Sequence, residues 1–129
     1  MGGMGMRNGV ESPGFALAHS QELGLSDEQA QKIRNDMFAT HEKIIDLRAR
    51  SMKSRAEVSR LLSEPKVDQA AVDRRIQDSA NAMAEIGKLR VQAWLRTRAL
   101  LNADQIKKLD ELRAQEMPPR SRWRTSSAD

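Results

Sequence analysis

The chain has 129 residues, enough for one compact domain and too few for two comfortable ones. Nearly half of them are Ala, Glu, Lys, Leu or Arg, while aromatic residues make up 3%, a balance that belongs to long helices rather than to a mixed globule. The absence of cysteine excludes disulfides, thiolate metal sites and Cys nucleophiles, and a net charge of +4 spread over 31% charged residues is only a modest basic bias.

So little apolar mass makes a thick single-chain core improbable, and an extended hairpin that completes its burial by dimerising fits better. No apolar run approaches the roughly 18–20 residues of a membrane span. No signal peptide opens the numbered chain, which is compatible with a mature or trimmed form.

Residues 1–12, MGGMGMRNGVES, carry no apolar periodicity and read as a flexible Met- and Gly-rich tail. A folded region is expected over 13–116. It opens with a short helix over 13–23, with Pro13 in its first turn and Gly24 closing it. A long second helix follows over 26–63. With Ala30 at heptad position a, the a positions are Ala30, Met37, Ile44, Ser51 and Val58, and the d positions are Ile33, Thr40, Leu47, Ser54 and Leu61. Such a helix spans about 57 Å at 1.5 Å per residue.

Pro65 ends it, because the residue before proline avoids the helical region. Asp68 is the expected N-cap of a third helix reaching Leu101, with Val67 and Val72 placed to staple across the cap. Its expected buried stripe is Val72, Ile76, Ser79, Met83, Ile86, Ala93 and Leu100. Gly87 inside it marks a close contact or a bend. The short connection makes the two long helices antiparallel neighbours. A last short helix runs from Asn102 to about Gln115, and 117–129 reads as a disordered basic tail. Four helices are thus expected, in an all-α fold.

One motif occurs twice. Leu25-Ser26-Asp27-Glu28-Gln29 and Leu101-Asn102-Ala103-Asp104-Gln105 each place an oxygen-bearing cap three residues before a Gln that reaches back to the cap's own amide. Each is a capping box, and the preceding leucine can staple onto Ala30 or Ile106. Read locally, the motifs start helices where the chain changes direction.

The same pair, framing a long helical hairpin, resembles the Leu-Thr-x-x-Gln repeat of the Spy/CpxP family. That family includes periplasmic stress chaperones and the zinc- and nickel/cobalt-responsive heavy-metal resistance proteins. The resemblance covers roughly 15–115 and departs at Ser26 and Asn102, where threonine is typical. It implies a cradle-like homodimer of four-helix protomers in the periplasm, reached through a leader absent from this numbering. It also implies an ATP-independent chaperone of unfolded or misfolded proteins. The alternative it carries is a metal-binding or metal-sensing resistance protein acting on a membrane sensor kinase.

Two surfaces are candidates. Phe38, Ile45 and Met52 recur every seven residues, one step round from the seam. They either widen the buried or dimer face, the commoner use of such a strip, or hold unfolded chains. Every charge between Asp46 and Glu57 is positive, Arg48, Arg50, Lys53 and Arg55, and Arg90, Arg96 and Arg98 add to this. A solvated face is the ordinary explanation, but beside an apolar strip such cations suit acidic clients, with Phe38, Ile45, Met52, Arg48, Arg55 and Arg90 as the client-binding set.

For a metal, Met1, Met4 and Met6 offer thioethers suited to copper, and His19 and His41 are the only imidazoles. Copper or zinc is the cofactor alternative, with Met4, Met6, His19 and His41 as its ligands. The positions at which nickel/cobalt-sensing relatives carry His and Glu hold Ala16, Ser20, Met37 and Ala93 here, so that site is absent. Arg120, Arg122, Trp123 and Arg124 read as a solubilising tail, and nucleic acid is not the expected partner. No phosphate loop, strand or His–nucleophile pair points to an enzyme.

Overall fold

The computed structural model describes residues 11–117, and the N-terminal Met-rich segment and the C-terminal Arg/Trp segment lie outside that range. The described chain is all-helical: α1 Pro13–Ala18, α2 Ser20–Leu23, α3 Asp27–Leu62, α4 Gln69–Ala99 and α5 Ala103–Glu116. Its described residues divide into two compact units, 11–34 with 96–117, and Asn35–Leu95.

In the first unit, Ser12 accepts the Phe15 amide at 3.2 Å and caps α1, whose first residue is Pro13. The single short helix expected over 13–23 is two, because the chain leaves helical geometry at His19 (φ −108°, ψ 27°). Five helices therefore replace the expected four. Gly24 ends α2 in the left-handed conformation, φ 64°, which a side chain other than glycine's would strain. The core of this unit gathers Ala16, Leu23, Ile33, Leu101, Leu109 and Leu112.

The second unit is an antiparallel pair made by the remainder of α3 and of α4. Asp68 caps α4 by accepting the Ala71 amide at 3.1 Å, as its position before the helix demands. Of the two stapling valines, Val72 is buried and Val67 remains 44% exposed. The heptad seam of α3 is covered along its length: Ile44, Ser51 and Ser54 are buried, and Met37, Leu47 and Val58 are half-buried. At its middle, the hydroxyls of Ser51 and Ser79 hydrogen-bond to each other at 2.7 Å. That contact sets the register, placing Ile44 opposite Ile86 and Val58 opposite Val72.

The stripe expected on α4 needs correcting at two places. Ile76 and Met83 are 54% and 47% exposed, and Ala82 and Trp94 are buried instead. In a paired helix the seam repeats every 3.5 residues, so Val72, Ser79, Ile86 and Ala93 keep one line while positions four residues beyond the first three rotate out of it. Gly87 marks no close contact either: an added methyl group there would meet nothing within 4 Å. Gly87→Ala should accordingly raise stability by about 0.5–1 kcal/mol, read as a higher urea midpoint with an unchanged slope.

Candidate functional site

The two capping boxes form as their sequences require. Ser26 accepts the Gln29 amide at 3.0 Å, and Gln29 Oε1 accepts the Ser26 amide at 2.9 Å. Asn102 and Gln105 repeat the pattern at 2.8 and 3.0 Å. What the local motifs do not reveal is that they bind each other. Gln29 Nε2 donates to Gln105 Oε1 at 2.8 Å, and Gln105 Nε2 donates back to Gln29 Oε1 at 3.0 Å. The remaining hydrogens reach backbone carbonyls, Gln29 to Leu100 at 2.8 Å and Gln105 to Gly24 at 3.1 Å.

Every donor and acceptor of both amides is thereby used, which is what burying such groups requires. Around this clasp, Arg98 reaches Asp110 at 3.0 Å, and Arg113 bonds Glu11 at 2.7 Å and Asp110 at 3.3 Å. Leu101 is buried and Leu25 half-buried, so the leucines of the motif join the core of the first unit.

The second unit carries surfaces of two characters. On one flank a groove of about 810 Å³ runs between the helices, lined by Arg50, Lys53 and Glu57 of α3 and Asp78, Asn81 and Glu85 of α4. Its polar walls mix both signs of charge. Arg60 bonds both Glu57 and Glu64, and its guanidinium holds the Glu57 carboxyl below the usual glutamate range.

The opposite flank is different. Phe38, Ile45 and Met52 are 58%, 51% and 68% exposed. Between them, at three- and four-residue steps, stand the exposed His41, Arg48 and Arg55. The register of the Ser51–Ser79 contact brings Met83 level with Arg48 and Ile76 level with Arg55, and Arg90 closes the row beyond Gly87. From Phe38 to Arg55 and from Ile76 to Arg90 these two rows contain no carboxylate. The carboxylates Glu57, Asp78 and Glu85 lie on the groove side.

The six candidate client-binding residues are thus all exposed, and the five other than Arg90 share one face of α3. Sequence reasoning missed that Ile76 and Met83 extend that face onto α4. Their seven-residue spacing was the available signal, but it also suits a buried stripe.

The metal candidates are not brought together among the described residues, where no group of three or more His, Asp or Glu is placed to hold an ion. The His19 ring packs on Phe15, with centroids 4.6 Å apart, and its Nδ1 meets Glu22 at 3.1 Å, holding that carboxyl below its ordinary range. His41 is exposed on α3. Met4 and Met6 lie outside the described residues. Ala16 and Ala93 are packed into the interior at 0% and 2% exposure and offer no ligand atoms.

A family model described as heavy-metal resistance matches residues 1–108, and the chain belongs to that family. No curated protein and no solved structure matches it. No helix among the described residues is long and apolar enough to cross a membrane.

The clasp yields a direct test. Gln105→Glu exchanges two donors for a charge at a position only 7% exposed. The loss should be about 2–4 kcal/mol at neutral pH, since a buried charge and two acceptors, Gly24 O and Gln29 Oε1, lose their donors. Burial raises the folded-state pKa of the introduced carboxyl above its unfolded value. The variant should therefore regain stability below the ordinary glutamate pKa and lose it as pH rises through the raised one. Denaturant melts at pH 4 and 7 read both effects, and a Gln105→Glu protein as stable as the parent at pH 7 contradicts the clasp.

Proposed function

We propose that the protein is a periplasmic stress-response chaperone, non-enzymatic and independent of ATP, that holds unfolded or aggregation-prone proteins on the exposed flank of α3 and α4. The observation that carries this reading is the segregation of charge on the second unit. Phe38, Ile45, Met52, Ile76 and Met83 stand exposed in rows shared with Arg48, Arg55 and Arg90, while Glu57, Asp78 and Glu85 lie on the other flank.

Apolar side chains this exposed are useful only against a partner that is itself partly unfolded or apolar. Guanidiniums without neighbouring carboxylates draw in acidic chains and orient them, while shallow apolar contact holds them loosely enough to release. Met52 and Met83 suit many sequences because an unbranched thioether adapts its shape. Membership of the heavy-metal resistance family supports a role in envelope stress. A homodimer, whose face is not assigned, completes the proposal. The family match equally favours the second reading, a copper- or zinc-binding regulator of a sensor kinase, with Met4, Met6, His19 and His41 as its candidate ligands.

The test is light scattering from an aggregating acidic client with near-equal amounts of this protein and neither ATP nor metal. The parent should suppress aggregation. Phe38→Ser/Met52→Ser should weaken suppression by about ten-fold, in line with loss of two apolar anchors. Arg48→Glu/Arg55→Glu should slow capture and remove the advantage that low salt gives the parent. A parent protein that leaves aggregation unchanged, yet binds copper or zinc tightly enough to raise its Tm, would replace the first reading by the second.

A further inference from the structure

The chaperone flank contains two thioethers, and the chain contains no thiol to protect them. Met52 is 68% exposed and Met83 47%, each the last apolar member of its row. Met37, on the seam, is half-buried, and Met117 is 52% exposed at the far end of α5, in the other unit. With no cysteine anywhere in the chain, methionine sulfur is its only readily oxidised sulfur.

We propose that Met52 and Met83 form a reversible oxidation site for hypohalous acids that switches client binding off. The proposal rests on the chaperone reading of the same flank. A sulfur lone pair attacks the chlorine of hypochlorous acid and hydroxide departs. Water then displaces chloride from the chlorosulfonium, and loss of two protons leaves the sulfoxide. The sulfur gives up two electrons, and chlorine takes them to become chloride.

The position of the pair determines its effect. A sulfoxide is a strong hydrogen-bond acceptor with a fixed dipole, and a client's apolar side chain laid on it must desolvate that oxygen without a donor to replace water. Met52 sits one turn from both Arg48 and Arg55, and Met83 is level with Arg48. Each new oxygen thus also has a guanidinium within reach, drawing on the cations that attract clients. Leucine would supply similar apolar area and equal helix propensity without this sensitivity. Sulfoxide reductases reverse the change with thiol reducing power, so the site resets without resynthesis.

The experiment treats the full chain with hypochlorite in small molar excess, follows each methionine by peptide mass mapping, and measures suppression of client aggregation in parallel. Met52 and Met83 should be oxidised several-fold faster than Met37, and client affinity should fall about ten-fold as they are lost. Methionine sulfoxide reductase should restore it. Met52→Leu/Met83→Leu, compared with its own untreated sample, should show no fall in client affinity on treatment, although Met117 is still oxidised.

Equal oxidation rates at Met37 and Met52 would overturn the site. A leucine double variant that loses binding on treatment as the parent does would overturn the switch while leaving the chaperone reading intact. An untreated parent that binds no client overturns that reading first, and the switch with it.

Discussion

Two helices packed against each other share one interface, and this limit governs the second unit. Each helix can cover only the stripe that faces its partner. On α3 that stripe is Ile44, Ser51 and Ser54, with Met37, Leu47 and Val58 at its edges. Any further apolar side chain is left to solvent unless another molecule covers it. Phe38, Ile45 and Met52 are therefore exposed by geometry, whatever their hydrophobicity. The seam itself is narrow, since Ser51, Ser54, Ser79 and Ala82 are small, and Ser51 and Ser79 satisfy their buried hydroxyls by hydrogen-bonding each other. A seam of this kind sets register more than it adds burial, and register is what brings Met83 beside Arg48.

The first unit answers a different problem, that of ending helices inside a packed region. A helix start leaves unsatisfied amides, and a chain reversal leaves unsatisfied carbonyls. Gln29 and Gln105 address both at once, each completing its own capping box with one lone pair and spending its two hydrogens on the partner glutamine and on a carbonyl of the other segment, Leu100 or Gly24. Neutral amides suit this because they keep the same donors and acceptors at every physiological pH, which carboxylates or histidines in their place would not. The role of the repeated motif is thus a pairing of two local devices, and its glutamines are its least replaceable members.

Much of this was legible from the residues. The a and d positions of α3, the cap at Asp68, the closing Gly24 and both capping boxes follow from local chemistry and appear where that chemistry puts them. The misreadings share one cause. Whether Ile76 or its neighbour faces inward depends on the register of α3 against α4, and whether Gln29 meets Gln105 depends on a contact between residues far apart in sequence. Neither quantity is local, so no periodicity within one segment contains it. The break at His19 is of another sort: residues 13–23 carry no glycine or proline near it, and the structure offers no physical reason for it beyond the Phe15 and Glu22 contacts of the ring.

The distribution of charge finally bears on whether the apolar flank is incidental. A helix pair stabilised by its flanking charges gains equally from opposite-sign pairs on either side. Here the carboxylates Glu57, Asp78 and Glu85 share one groove with Arg50, Lys53 and Arg75, while Arg48, Arg55 and Arg90 on the other flank enter no ion pair among the described residues. Those three cations therefore add no ion pair to the contact between the helices. Glycine at 87, with open space above it, is a further departure from what stability alone favours. All of them fall on the one face that the fold leaves uncovered, as expected where a surface is shaped by what it binds.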